Sequence, residues 1–340
     1  MSQQPQIEET GSLGVVRLKR LWWRWTHRGV LAERGDAAAR QHEWVHEMVL
    51  IHGLGIGLEQ IARYLTPERT FDELEAWILE LNGGSIDPAC IARLNAALTG
   101  GAYDAQTQRR FEEIAAMPAV FDASDLETWD EHGIVVLRDA ISAQQCAAAV
   151  DAVHEFIGVR ADDASTWYQR NHAQGIMVQL FQHPALEPAR RSARIHKAFS
   201  QLWGTTDLLP TFDRCGFNPP EQAGFIFPGP HLHWDADMTK PIGFGVQGLL
   251  YLGDTAAEQG AFSCVPGFHK TLDGWLQSLP PRADPHDHIR GTPAKAIAGN
   301  AGDLILWHQA LPHGSSPNRA ARPRVVQYLT MFPARPSERF

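Results

Sequence analysis

Cysteine is scarce in this sequence. Cys90, Cys146, Cys215 and Cys264 are spread through 340 positions, and no two form a C-x-x-C pair. Zinc ribbons and thioredoxin-like redox centres need such pairs, so neither is expected. Thiols this sparse in a chain this long point to free cysteines in a reducing compartment, not to a disulfide framework. Long apolar runs are missing as well, since none reaches the roughly 18 residues of a membrane span. The first dozen residues are polar, carry Glu8 and Glu9, and lack the basic start and apolar run of a secretory signal. A soluble cytoplasmic protein is therefore expected. Positive charge is in deficit, with 30 Lys and Arg against 39 Asp and Glu and a net charge of −9. Such a chain gains no general attraction to nucleic acid or to an anionic membrane. There is no internal repeat and no long low-complexity tract.

With 44% hydrophobic residues, the chain can bury a sizeable core. Two parts are expected: a helical region over residues 1–120 and a second domain over 121–340. The stretch from Val15 to Gly29 is basic and rich in tryptophan. It reads as a short helix whose Trp22, Trp23 and Trp25 pack inward, more than as a membrane-surface segment. Apolar residues at helical spacing predict helices over 43–65 and 71–81, the second through Phe71, Leu74, Trp77, Ile78 and Leu81. Asn82-Gly83-Gly84 ends it, because glycine accepts the left-handed cap conformation. A further helix is expected over 88–98. The pair of helices around Thr66-Pro67 is not a DNA reader: 71–81 carries Asp72, Glu73, Glu75 and Glu80 and no base, so phosphate would repel it. The N-terminal helices could serve as a lid or a homodimer interface.

The second part mixes helix and strand. A strand at Gly133–Leu137 precedes a helix over 143–157. Later runs, Phe244–Leu252, Leu304–Trp307 after the turn Gly302-Asp303, and Arg324–Phe332, are short, apolar and rich in β-branched residues. Late strands without βαβ alternation predict an α+β chain with an antiparallel sandwich or barrel such as a jelly roll.

The most informative segment is Pro230–Asp237, PHLHWDAD. On a strand, residues i and i+2 share a face, so His233 and Asp235 can reach one ion. A lone H-x-D is common by chance, and a third ligand must come from elsewhere. Two histidines and one carboxylate on one face of an octahedron leave three positions open, which suits iron(II) oxygenases. His313 follows a strand and precedes a glycine, and Arg324 comes eleven positions later at the head of the next strand. If a dicarboxylate such as 2-oxoglutarate chelates the metal at one end, its far carboxylate needs a planar, two-pronged cation, and arginine fits.

From about residue 125 to 335 the sequence resembles the phytanoyl-CoA dioxygenase (PhyH-like) family of 2-oxoglutarate oxygenases. The resemblance rests on H-W-D at 233–235, GLLYLGDTAAEQGAFSCVPGFHK at 248–270, GDLILWHQALPHGSSPN at 302–318, and Arg324. It implies a double-stranded β-helix (cupin-like) core with flanking helices. It implies Fe(II) on His233, Asp235 and His313, with 2-oxoglutarate on Arg324 assisted by Ser315, and O2 as oxidant. The reaction implied is hydroxylation of an unactivated C–H bond of a small-molecule metabolite, with release of succinate and CO2. Related halogenases replace the metal-binding aspartate by a small residue, so the presence of Asp235 argues against halogenation.

Rivals remain at the level of the residues. His231 shares the parity of His233 but follows Gly229-Pro230, and His308 lies five before His313. Asp237 is spare, Arg322 sits beside Pro323 in a loop, and His269 and Trp234 read as packing residues. Substrate contacts are expected from segments ahead of the first ligands: Trp167, Tyr168, Gln179, Asp213 and Arg214, the last two of which could instead pair with each other. The alternative function is a non-catalytic scaffold that binds metal or a partner and works through its N-terminal helices.

Overall fold

The computed structural model describes residues 4–28, 37–240 and 242–335. The chain forms two compact units. One runs up to Met117 and takes in Thr205–Phe212 and the stretch from Pro333; the other comprises Pro118–Gly204 and Asp213–Phe332.

The first unit contains helices Leu18–Thr26, Ala37–Gly53, Leu58–Tyr64, Phe71–Leu81, Pro88–Thr99 and Ala105–Ala116. Phe71–Leu81 starts where a capping box forms. The Glu73 N–H donates to Thr70 Oγ1 at 3.3 Å, and the Thr70 N–H donates to Glu73 Oε2 at 2.8 Å. Its Phe71, Leu74 and Ile78 are buried, and the Gly84 N–H closes it on the Leu79 carbonyl at 2.8 Å. The helix expected over 43–65 is instead two helices, because Gly55, at φ 74°, turns the chain between them. The basic tryptophan-rich stretch is neutralised within the unit. Arg20 and Arg24 pair with Glu43 and Glu47 at 2.6 Å each, and Trp23 and Trp25 are buried. Trp22 is only half-buried, its indole N–H donating to the Arg69 carbonyl at 2.8 Å.

Among the described residues the strands are β1 Ile134–Leu137, β2 Ala173–Gln174, β3 Met177–Val178, β4 Leu208–Pro210, β5 Cys215–Asn218, β6 Val246–Tyr251, β7 Phe262–Cys264, β8 Lys295–Ile297, β9 Leu304–His308, β10 His313–Ser315, β11 Arg324–Tyr328 and β12 Met331–Pro333. In the second unit, β1-β9-β6-β11-β5-β3-β2 make a seven-stranded sheet and β10-β7-β8 a three-stranded one. Their pairings are antiparallel. Ile134, Leu249, Tyr251, Ile305, Trp307 and Val326 of the larger sheet pack with Phe262 and Cys264 of the smaller. Two sheets closed on one apolar core form the expected jelly-roll, or double-stranded β-helix, with helices Ala123–His132, Ala143–Ile157 and Ala193–Trp203 beside it. The strand expected over 324–332 is broken into β11 and β12. At the turn into β9, Gly302 has φ 91°, and a Cβ there would lie 2.6 Å from the Ile141 carbonyl oxygen. Among the described residues no helix is long and apolar enough to cross a membrane.

Candidate metal centre

His233 does not lie on a regular strand, contrary to the spacing argument. It makes a single bridge with His313: the His233 N–H donates to the His313 carbonyl at 2.9 Å, and the reverse bond is 3.0 Å. The ladder stops there because the chain is pulled two ways. Trp234 buries itself beside Leu272, Ile289 and Ala310 and donates its indole N–H to the Ala310 carbonyl at 2.9 Å. Asp237 then forms a turn, accepting from the Thr239 N–H at 3.0 Å. The i, i+2 spacing still brings His233 and Asp235 to one place, with the bridge to His313 holding the first.

The side chains of His233, Asp235 and His313 offer ligand atoms that all lie within 4.8 Å of one another. His233 Nε2 is 3.3 Å from Asp235 Oδ1, and His313 Nε2 is 3.3 Å from Asp235 Oδ2. Both histidines spend Nδ1 on a main-chain carbonyl, His233 on His231 at 2.7 Å and His313 on Leu311 at 3.0 Å. A carbonyl can only accept, so Nδ1 carries a proton, and Nε2 is the nitrogen left to face the centre, hydrogen-bonded to Asp235 and able to turn its lone pair to a metal once its own proton is lost. This donor set fits a divalent transition metal. Burial works against charging His233, but the hydrogen bond and charge of Asp235 raise its pKa overall. Burial likewise opposes ionisation of Asp235, yet hydrogen bonds from His233 and His313 hold it well below the usual carboxylate range. The carboxylate is 56% exposed, open to solvent on one side and flanked by the two imidazoles on the other.

One contact here was not anticipated. Gln247 Nε2 donates to Asp235 Oδ2 at 2.6 Å, while Gln247 Oε1 accepts from the Trp307 indole N–H at 2.9 Å. The available signal was one polar residue within the apolar run FGVQGLLYL.

Arg324 is fully buried at the start of β11. Its Nη1 donates to the Gly260 carbonyl at 2.9 Å and to Ser315 Oγ at 2.8 Å, while Nε and Nη2 have no partner. Among the described residues no carboxylate pairs with it. Gly216 lets the main chain pass close to Nη2: a Cβ there would lie 3.5 Å from that nitrogen and 2.7 Å from Val326 Cγ2. A buried guanidinium with two idle donors fits an incoming carboxylate. His313 and Ser315 share one face of β10, so metal donors and arginine stand about two strand residues apart, roughly 6.6 Å, which suits a five-carbon dicarboxylate.

The remaining candidates are placed as follows. His231 is exposed, and its carbonyl serves His233. His308 Nδ1 accepts from the Ala310 N–H at 3.0 Å, and its ring packs near Trp129, Phe244 and His269. His269 lies against the Asp130 carbonyl, and Arg322 is exposed. Trp167 is buried with its N–H on the Arg160 carbonyl, and Tyr168 donates to the Pro220 carbonyl. Asp213 and Arg214 do contact each other, with Nε and Oδ1 at 3.5 Å. Burial raises the Asp213 pKa, and the nearby Asp235 charge adds to that rise. Met177 lies opposite Gly216, and strand alternation carries Gln179 to that face. The Gln179 amide atoms are both buried and unpartnered.

Several known proteins are similar to this chain. A curated relative, a putative phytanoyl-CoA dioxygenase of Dictyostelium discoideum, is 24% identical over 260 residues, covering 61% of this chain and 74% of its own. A probable alpha-ketoglutarate-dependent hypophosphite dioxygenase of Stutzerimonas stutzeri is 22% identical over 208 residues, 56% of this chain and 71% of its own. Among solved structures, AviO1 from Streptomyces viridochromogenes Tue57 aligns at a TM-score of 0.45 with 19% identity, over 65% of this chain and 99% of that one. EvdO2 from Micromonospora carbonacea var. aurantiaca, complexed with 2-oxoglutarate, aligns at 0.43 with 18% identity, over 62% and 90%. The phytanoyl-CoA dioxygenase (PhyH) family matches residues 129–326, more than half of the 340. The chain belongs to that family and is an oxygenase dependent on Fe(II) and 2-oxoglutarate.

Proposed function

We propose that the enzyme hydroxylates an unactivated C–H bond of a small-molecule metabolite, with His233, Asp235 and His313 as the metal ligands and Arg324 and Ser315 as the co-substrate site. The observation that carries the assignment is the pairing of a convergent His-Asp-His donor set with a buried arginine whose Nε and Nη2 are idle. Bound Fe(II) and 2-oxoglutarate supply the oxidising chemistry: one oxygen atom of O2 enters succinate as CO2 leaves, and the other enters the substrate.

The chain's own residues have three tasks. His233 and His313 present Nε2, because their Nδ1 protons are held by main-chain carbonyls. Ser315 Oγ and the Gly260 carbonyl hold Nη1 of Arg324, which leaves the rest of the guanidinium to receive a carboxylate. Gln179 and Arg214 offer polar groups from the β3–β5 side for orienting the substrate, with Asp213 beside Arg214 and Trp167 and Tyr168 as further candidate contacts. All these residues fall in the second unit. This supports reading the second unit as the catalytic domain; it departs from a simple division at 120, because 205–212 and the stretch from Pro333 complete the helical unit.

The test is succinate formation from 2-oxoglutarate, with Fe(II) and ascorbate in air and a metabolite extract as substrate source. Wild type is expected to form succinate and His313→Ala none. No succinate from iron-loaded wild type across broad extracts would favour the scaffold reading instead.

A further inference from the structure

We infer that Gln247 is a positioning residue: a relay from Trp307 through Gln247 holds the Asp235 carboxylate in its metal-binding orientation. The inference rests on the metal-site reading above.

Gln247 and Trp307 stand directly opposite each other on β6 and β9, so their side chains share the inner face of the larger sheet. Around them that face is apolar, with Ile134, Leu249, Tyr251 and Ile305. Gln247 is half-buried there, and an amide that loses part of its water needs partners in exchange. It finds two. The indole N–H can only donate, so the Gln247 atom 2.9 Å from it must be the oxygen. That settles which way the amide faces. Nε2 is thereby turned to Asp235 Oδ2, at 2.6 Å, and can only donate to it.

The carboxylate needs this support. Asp235 lies outside the strand ladder, and its side chain is more than half exposed. Its other contacts are the Nε2 atoms of His233 and His313, at 3.3 Å each. Those are the atoms that turn to a bound metal. With them committed, Gln247 is the remaining contact with the carboxylate among the described residues, and it fixes the rotation about the Cβ–Cγ bond. Partners of metal ligands at this remove are worth about 10–100-fold in metal affinity.

The experiment is an anaerobic calorimetric titration of Fe(II) into the full-length protein. Wild type is compared with Asp235→Ala, Gln247→Met, Gln247→Leu and Trp307→Phe, each followed by thermal melting and by the visible absorbance of the Fe(II)–2-oxoglutarate chelate. Methionine keeps the length of glutamine and removes the donor. Gln247→Met and Gln247→Leu are expected to weaken Fe(II) binding about 10–100-fold and to displace the absorbance band, with melting temperatures near wild type. Trp307→Phe unlocks the amide but also loosens the core beside His313, so it serves as a secondary variant, expected to weaken Fe(II) binding in the same direction. Absence of Fe(II) binding by wild type, or undiminished binding by Asp235→Ala, would sink the metal-site reading itself. Binding lost in Asp235→Ala but within twofold of wild type in both Gln247 variants, with an unmoved band, overturns the relay and leaves the metal site standing.

Discussion

Arg324 is the largest side chain that the fold hides completely, and it is a cation. Burying an unpaired charge costs several kcal/mol, and the two neutral acceptors on Nη1 offset only part of that. The site is therefore poised to gain stability when a carboxylate arrives. 2-Oxoglutarate should raise the melting temperature of wild type by ligand linkage. Arg324→Met should melt no lower than wild type without the acid, because an apolar isostere relieves the uncompensated charge. It should show no upward shift with the acid, and its KM for 2-oxoglutarate should rise about 100-fold, the scale of a lost charge-assisted pair. A full thermal response in the variant would reject Arg324 as the anchor. A second residue links stability to pH. Burial, with the neighbouring His269 charge adding to it, pushes the pKa of His308 down to about 4 from its ordinary 6.5. Between those values the unfolded chain takes up a proton that the folded chain refuses, so stability rises with pH there. His308 thus contributes stability in full above pH 6.5, and this is lost as pH falls toward 4. From pH 7 to pH 5 the loss should be about 2 kcal/mol. Urea unfolding at both pH values should show wild type losing that much more than His308→Gln; equal losses would mean that the imidazole titrates normally in the fold.

At the scale of elements, the metal centre depends on how closely β10 approaches the segment 230–233. Gly314 sets that distance. A Cβ there would lie 2.6 Å from the His231 carbonyl oxygen and 2.8 Å from that of Pro230, both main-chain atoms that cannot swing aside. Gly314→Ala should push the segments apart and strain the His233–His313 bridge and the Ser315 N–H bond to Pro230, now 3.0 Å. Fe(II) affinity should fall tenfold or more, with about 1–3 kcal/mol of stability lost. Wild-type Fe(II) affinity in this variant would mean that the bridge does not set the ligand geometry. Such closeness leaves only a faint trace in sequence, a glycine after a histidine. Local signals are plainer. The bounds of Phe71–Leu81 are legible because Thr70, Glu73 and Asn82-Gly83-Gly84 act within a few residues of the ends they define. The H-x-D spacing is likewise local, and so is the apolar run that becomes β6. Gln247 is illegible as a site residue because its partners lie 12 residues before it and 60 after it, and only the closed sheets bring them together.

At the scale of the whole molecule, the same rule decides what a truncation would do. Composition suggests a cut near residue 120, but the first unit is not one contiguous block. Thr205–Phe212 and the stretch from Pro333 complete it. Arg93 donates to the Leu208 carbonyl at 2.8 Å, the Tyr103 hydroxyl to Asp207 Oδ2 at 2.5 Å, and Arg335 Nε to the Tyr103 hydroxyl at 2.9 Å. These pairs join residues 104 to 232 positions apart, which no periodicity reveals. A fragment of residues 121–340 keeps His233, Asp235, His313 and Arg324 but strips the partners from Asp207, Leu208 and Arg335. Leu208 and Leu209, both buried in the intact chain, would be left uncovered. Freed apolar surface on a strand is an aggregation hazard. The fragment should therefore run as soluble aggregate on size exclusion. Held in solution by a fusion partner, it should still bind Fe(II), because every donor lies in the second unit. A monodisperse fragment would mean that 205–212 rearranges without the helices. Loss of Fe(II) binding in a folded fragment would mean that the first unit helps to hold the metal centre in shape.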